Sequence, residues 1–521
     1  MTTRREESDG RTVPEGRRKT VPTAETRGGI ATTASEMADQ LGLFPETADN
    51  PKGARRQAEA GQAARAGRPV PKSGSTAQNG LPAMTMEEVT SEANLREAFE
   101  EVARNKGAPG PDGQRIEYVR EHLDKLVTKL RRDLIEGRYR PGRIRRVWIP
   151  KPGGGERGLG IPDVVDRVVQ QAVHRVLSPH YEPGFHPSSH GYRPGRSCHT
   201  AIAEAKGYIE KGFEWVVDLD IEKFFDRVHH QRLLARLGQR IVDHRLLDLI
   251  RRMLKAKVVM PDGVVVNTEE GVPQGGPLSP LLSNITLDEL DRELAQRGHR
   301  FVRYVDDCNI YVRSKRSGQR VMASVVDFIA RRLRLKVNPA KSAVARPRDR
   351  HFLGFTLRRE SEDGHVEVVL SKRTQERISQ RIVELTPRTM GRTLKRCIHS
   401  LNVYLRGWVG FFGLSCTDKV RWHLQFLNAY IRRRLRAIVL RQWRRKRSIA
   451  RKLIKLGSRP TAAWKVVYEG RKGLWALSQE ATVYRVLGKR FFAEHGLEDL
   501  EVSFTKMHQV TAPAQLALKL G

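Results

Sequence analysis

Two apolar runs, residues 301–304 and 308–312, flank the tetrapeptide Tyr304-Val305-Asp306-Asp307, and a third run, residues 215–221, reads Trp-Val-Val-Asp-Leu-Asp-Ile. No other pattern in the chain constrains the fold as tightly. Period-two alternation along an extended segment sets Val216, Asp218 and Asp220 on one face and Trp215, Val217, Leu219 and Ile221 on the other. Asp220 lies 86 residues before Asp306. If the two segments meet, an Asp pair at the tip of a tight hairpin facing that strand offers hard oxygen ligands. Such a set holds two Mg²⁺ ions about 3.5 to 4 Å apart, the arrangement that transfers phosphoryl groups in line. Asp is also a common turn residue, so the pair taken alone is more often a turn cap.

The chain has 521 residues, enough for two or three domains. Its 95 Lys and Arg against 59 Asp and Glu leave a formal charge of +36, with the basic residues dense after position 370. That excess favours a polyanionic partner. Nucleic acid fits better than a membrane surface, since no stretch reaches the roughly 18 uninterrupted apolar residues that a span needs. Residues 1–10 are polar and charged and show no secretory signal. Cysteines at 198, 308, 397 and 416 are too scattered for a Cys-x-x-Cys zinc site and indicate reduced thiols, as in a cytoplasmic protein.

Before Phe99 the only aromatic residue is Phe44, and the Gly, Pro, Thr, Ala, Glu and Arg of the first 80 residues cannot build a core. Residues 1–84 are therefore expected to be a disordered polar tail. Helical periodicity starts near Thr85, with Thr90 or Ser91 as N-cap before Leu95, Ala98, Phe99 and Val102, and stops at the Gly107 to Gly113 loop. Over residues 85–370 strand and helix signals mix without a regular βαβ repeat, which predicts an α+β domain. Residues 163–177 have helical spacing, and Pro261-Asp262-Gly263 between two Val-rich runs predicts a hairpin. From residue 371 the chain reads as helical and basic. In residues 426–447 one apolar stripe is surrounded by Arg432, Arg433, Arg434, Arg436, Arg441, Arg444, Arg445 and Arg447, with no acidic residue between them. Eight like charges would repel one another unless a polyanion neutralised them, so these arginines are candidate RNA contacts.

Further motifs stand in one order. The glycine-rich loop of residues 151–158 carries Lys151 and Arg157, suited to gripping a triphosphate. Phe225 follows Asp220 by five residues, close enough to wall off a sugar 2′-hydroxyl, although a core aromatic fits the position equally well. Gly271-Val272-Pro273-Gln274-Gly275-Gly276 opens a helix with glycines that let backbone approach a base pair. Together with the blocks Asn105 to Gly113, Ile149 to Pro162, His190-Gly191-Tyr192-Arg193-Pro194-Gly195-Arg196-Ser197 and His351-Phe352-Leu353-Gly354-Phe355, the chain resembles a bacterial group II intron reverse transcriptase/maturase. The likeness runs from about residue 87 to about residue 477.

The resemblance implies a right-hand polymerase: fingers and palm over residues 85–370, then an α-helical thumb or maturase domain over 371–460. A basic extension, residues 461–521, follows as a candidate DNA-binding segment. It implies that Asp220, Asp306 and Asp307 are the catalytic carboxylates and, with the Ile221 carbonyl, the ligands of two Mg²⁺ or Mn²⁺ ions. Lys151, Arg157, Phe225, Gln274 and Lys341 match nucleotide-contact positions, and Phe352, Leu353, Gly354 and Phe355 a loop that supports the primer end. The implied partners are the intron RNA, an RNA template with a DNA primer, deoxynucleoside triphosphates and target DNA. Two departures stand out. Val305 replaces the Ala usual between Tyr and Asp-Asp and would crowd the primer terminus or nucleotide, and residues 462–521 show no His-Asn-His pattern of the nuclease domain that many relatives carry. Two alternatives stay open: a host-adopted reverse transcriptase in repair or defence, and an RNA-binding splicing factor with weak polymerase activity.

Overall fold

The computed structural model describes residues 83–507 except 151–154, 361–363, 389–390, 392, 414, 416–417 and 471–472. The expected tail lies almost wholly outside the described residues, and so does Lys151. The first helix, α1 (Met86–Thr90), is capped by Thr85, and Ser91 caps α2 (Glu92–Arg104) by accepting from the Asn94 amide. Leu95, Ala98, Phe99 and Val102 are buried, as their 3.6-residue spacing requires. The helix predicted over 163–177 is α3 (Val164–Tyr181).

In chain order the strands are β1 (Ile144–Pro150), β2 (Glu156–Ile161), β3 (Trp215–Asp220), β4 (Val258–Val259), β5 (Val265–Val266), β6 (Arg300–Tyr304), β7 (Asp307–Val312), β8 (Ala343–Ala345), β9 (Phe355–Arg359) and β10 (Val366–Leu370). One sheet has the order β2-β1-β4-β5 and includes the predicted 258–266 hairpin. A second, antiparallel, has the order β6-β7-β3-β8, and β9 pairs with β10 in a third. No regular βαβ repeat appears, so the α+β expectation holds.

The β6-β7-β3-β8 sheet has a core on each face. Val217, Leu219, Cys308 and Ile310 pack with α5 (Ser279–Gln296) and α6 (Lys315–Phe328), while Val216, Val302 and Tyr311 pack with α4 (Cys198–Glu210) and the thumb. Along β3 and β7 the second face changes character. It begins with Val216 opposite Tyr311, continues with Asp218 opposite Asn309, and ends with Asp220 opposite Asp307. The apolar end lies under the thumb's core and the acidic end stays accessible, because burying unpaired carboxylates costs several kcal/mol each.

The thumb is built from α7 (Lys372–Leu385), α8 (Leu394–Phe412), α9 (Asp418–Gln442) and α10 (Lys446–Lys455). Beyond it, α11 (Pro460–Tyr468), α12 (Leu474–Leu477), α13 (Ala481–Val486) and α14 (Lys489–Glu494) place Ala463, Val466, Leu477, Val483 and Phe492 in the same core. The described part of the 461–521 extension is therefore packed on the thumb. The basic helix expected to run through residue 447 instead ends at Gln442 and restarts at Lys446, with Arg444 at φ 61 between them.

Candidate active site

Antiparallel register brings the sequence-distant acids together. Asp220 lies directly opposite Asp307, and Tyr304 opposite Asp307 leaves Val305 and Asp306 as a two-residue turn. Directly opposed residues have Cβ atoms about 4.5–5.5 Å apart. Asp218 is on the same face but bound elsewhere: Arg350 Nε donates to its Oδ2 at 2.7 Å. That pairing makes Asp218 a neighbour of the site. Lys341 Nζ lies 3.7 Å from Asp220 Oδ1, which puts the lysine at the mouth of the site. Ile221 faces Val337 in a bridge whose hydrogen bonds run from Glu222 N and to Asp220 O, so its own carbonyl points away from that strand.

Among the described residues no three His, Cys, Asp or Glu side chains converge closely enough to form a metal-binding group. Asp306 belongs to the turn and Asp307 to β7, while Lys341 lies against Asp220. The electrostatics nonetheless suit a cation. Desolvation, then the charges of Asp306, Asp218 and Asp220, pushes Asp307 up to about 7, with Lys341 pulling the other way. Desolvation also raises Asp306, opposed by Arg157 and reinforced by Asp220. Asp307 keeps an edge exposed to solvent, so a hydrated ion can reach it. Hard, crowded carboxylate oxygens are the donor set that a divalent metal prefers.

The raised Asp307 fixes the sign of a pH effect. Between the unfolded value near 4 and the folded value of about 7, the folded chain holds a proton that the unfolded chain has released. Stability from this group should fall as pH rises through that window and level off above it. Titrating 5 mM MgCl₂ or MnCl₂ should raise Tm by a few degrees at pH 8 and much less at pH 5.5. Equal shifts at both pH values would mean that the carboxylates do not receive the ion.

The turn at Val305 is strained, because φ 58 puts a β-branched residue in the left-handed region at a cost of about 1–2 kcal/mol. Arg303 holds it there. Its Nη1 donates to the Val305 carbonyl at 2.9 Å and to Asn284 at 3.1 Å, its Nη2 donates to Ser189 Oγ at 2.7 Å, and Asp291 pairs with Nε at 2.7 Å and Nη2 at 2.5 Å. Both side chains of the Arg303–Asp291 pair are fully buried. The expectation that Val305 crowds the nucleotide does not fit this arrangement. Its side chain is 6% exposed and packs on Gly191, where a Cβ would lie 2.6 Å from Val305 Cγ2. Arg303 went unnoticed in the sequence, although a lone arginine on the face that Phe301 assigns to the core was a legible signal.

The β1-β2 hairpin comes near enough to the acidic turn for one of its charges to act there. Arg157, opposite Ile149, is exposed, and its charge favours the ionised form of Asp306. The Gln274 carbonyl accepts from Gly160 N at 2.7 Å, and Gly275 at φ 126 leaves 2.5 Å between a hypothetical Cβ and Gly160 O. Glycine is required there by both conformation and space. The Phe225 carbonyl accepts from Val272 N at 2.6 Å, tying that turn to the Gln274 loop. Phe224 is the buried core aromatic of the pair; Phe225 is half-buried against it, rings 5.3 Å apart, with a free edge.

Two predicted groups need revision. Phe352 and Phe355 are buried core anchors, so only Leu353 and Gly354 form the tip of their turn, at φ 51 and 89. The Gly354 carbonyl accepts from Thr374 Oγ1 at 2.7 Å, which fixes the tip to the thumb. Of the eight arginines, Arg434 and Arg436 are buried: Arg434 donates to Thr386 Oγ1 at 2.6 Å and Thr386 O at 2.8 Å, and Arg436 donates to Ser478 O at 2.6 Å. Thr386 thus engages Arg434 through its hydroxyl and carbonyl, while Arg436 has the Ser478 carbonyl on Nε and keeps a buried Nη1 with no hydrogen-bond partner, so neither guanidinium is offered to a polyanion. Arg433 lies 3.9 Å over the Trp475 ring, Arg432 is half-buried, and Arg441, Arg444, Arg445 and Arg447 are exposed. Arg434→Ala should therefore destabilise the thumb by about 1–3 kcal/mol without changing RNA affinity per folded molecule. Arg441, Arg444, Arg445 and Arg447 changed together to Gln should leave Tm within a degree or two and lower the slope of log affinity against log salt by about 3. Denaturant melts and binding titrations at several salt concentrations separate the two.

Opposed carboxylates on an antiparallel sheet, followed by a basic helical domain, match the right-hand polymerase fold that the sequence resemblance implies. Residues 149–357 match the family described as reverse transcriptase (RNA-dependent DNA polymerase), and residues 375–455 match the group II intron, maturase-specific domain. The chain thus carries a reverse transcriptase match followed by a maturase-specific match, in the order that its resemblance to group II intron reverse transcriptases/maturases implies. It is 40% identical over 215 residues to protein YkfC of Escherichia coli K12, covering 40% of this chain and 56% of that one. It is 37% identical over 210 residues to the group II intron-encoded protein LtrA of Lactococcus lactis, covering 40% and 34%. It is also 36% identical over 186 residues to the putative COX1/OXI3 intron 2 protein of Saccharomyces cerevisiae, covering 36% and 21%. The matches thus span 56% or less of each of these relatives. Cys198, Cys308 and Cys397 are buried, and no described helix is long and apolar enough to cross a membrane.

Proposed function

We propose that this protein is an RNA-directed DNA polymerase that also binds a group II intron RNA and assists its splicing and mobility. The observation that carries the reading is the register opposing Asp220 to Asp307 beside the Asp306 turn, with Arg157 near enough for its charge to favour the ionised Asp306. Asp220, Asp306 and Asp307 would hold two Mg²⁺ ions, with the Ile221 carbonyl as a further ligand, and bound Mg²⁺ supplies charge neutralisation and a lowered pKa at the primer 3′-hydroxyl. The chain's residues do the positioning. Arg157 and Lys151 grip the triphosphate of an incoming deoxynucleotide, Lys341 stands where pyrophosphate leaves, and the Gln274 loop lies beside the templating pair. Leu353 and Gly354 would touch the primer end. The exposed arginines of residues 441–447 would contact RNA phosphates, and the packed extension after residue 460 would contact target DNA.

Primer extension with Mg²⁺ on matched RNA and DNA templates tests the reading, with incorporation on RNA expected and deoxynucleotides preferred. The free edge of Phe225 supplies that preference, so Phe225→Val should raise ribonucleotide incorporation by at least about ten-fold, the ratio that 1.4 kcal/mol of discrimination represents. No extension on either template would sink the proposal; an unchanged ribonucleotide ratio would remove Phe225 from the gate.

A further inference from the structure

Helix α9 buries Leu424, Leu427, Ile431 and Leu435, yet its opposite side carries Trp422 and Phe426, which the core does not use, with Tyr430 packed at the core's edge beside them. Trp422 is 70% exposed and Phe426 55% exposed. Tyr430, four residues further on, is half-buried, and its ring is parallel to that of Phe426 within 1°, centroids 6.4 Å apart. His423 flanks Phe426 at 6.5 Å and 25°.

Guanidinium groups continue the row. Arg434, buried and held by Thr386, backs Tyr430 at 5.8 Å, and nearer the surface Trp475 meets Arg433 at 3.9 Å and Arg388 at 5.1 Å. The carboxylate beside the lower end, Glu501, is engaged by Arg421 at 3.7 Å and by Gln425 at 3.0 Å. Trp422 to Tyr430 spans about 12 Å along the helix.

We propose that Trp422, Phe426 and Tyr430 form a stacking ladder for unpaired bases of RNA, with Arg388 and Arg433 beside it for the phosphates. The inference rests on the reading that the thumb holds RNA. Aromatic faces take bases of any identity, and cations track the backbone. Bases within a duplex are already stacked and present no free face, so the ligand is single-stranded. An apolar protein partner would have to bury the flanking arginines without a counter-charge, which disfavours it.

The test uses the full chain and a 12-nucleotide unstructured RNA carrying 2-aminopurine, against a blunt RNA duplex of equal length. Trp422→Ala and Phe426→Ala should each weaken single-strand binding about ten-fold. Both should reduce the 2-aminopurine quenching, while duplex affinity changes by less than about two-fold. Trp422→Phe should bind nearly as wild type, and Phe426→Leu, apolar but not aromatic, should behave like the alanine variant; these two guard against misfolding. Unchanged single-strand affinity in variants with native melting curves would overturn the proposal. So would equal losses on duplex and single strand, or a loss of self-association with RNA binding intact, which would make this face a contact between copies. A wild-type chain that binds no RNA would sink the underlying reading and the ladder with it. Wild-type binding with indifferent variants sinks the ladder alone.

Discussion

Asp306→Asn should reduce primer extension on an RNA template by at least about 1,000-fold, the loss expected when several kcal/mol of charge stabilisation leave the transition state. The change is nearly isosteric and removes one of several carboxylates that repel one another. Asp307 is held up partly by the charge of Asp306, so neutralising Asp306 should ease that strain and keep or raise Tm. RNA binding by the thumb should stay within about two-fold, since the exposed arginines of residues 441–447 lie on another element. Single-turnover extension, a melt and an RNA titration on the same preparation make the separation visible. Extension within ten-fold of wild type would remove Asp306 from the chemistry; loss of RNA binding in a folded variant would mean that the two functions share a surface.

Arg303→Met should cost about 3–5 kcal/mol of stability, because it leaves Asp291 fully buried with its charge unpaired. It also frees the Val305 carbonyl, so the left-handed turn that carries Asp306 loses its clamp. Arg303→Met with Asp291→Leu is the informative companion. Removing both charges should recover much of the stability, since a buried pair replaced by apolar groups is often neutral. Catalysis should stay depressed in the double variant, with kcat lowered more than the nucleotide KM is raised, because the Val305 clamp is absent in both. Denaturant melts and steady-state extension measure the two quantities. A double variant with full kcat would show that the pair serves stability alone.

How much of this was legible before the fold is best seen at particular residues. Alternation alone set Asp218 and Asp220 on one face, and it stands, because a strand has only two faces. The caps at Thr85 and Ser91, the 258–266 hairpin and the buried face of α2 follow equally from local rules. The arginine run was harder. Charge repulsion argued that all eight seek a polyanion, but Arg434 and Arg436 find carbonyls on residues 48 and 42 positions away in sequence, which no local pattern encodes. Phe352 and Phe355 were likewise assigned to the primer from their motif, whereas packing against the thumb makes them core.

By itself the sequence determined the class: the order of its motifs, the charge of +36 and the alternation of acids along residues 215–221 are properties of neighbours in the chain. Only the tertiary structure decided which acid is engaged by Arg350, why Val305 turns toward Gly191, and that one buried arginine holds the acidic turn in place. The physical reason is the range of the interactions. Periodicity and capping act within a few residues, whereas pairing a buried charge or admitting a side chain against a glycine depends on segments more than 100 residues apart.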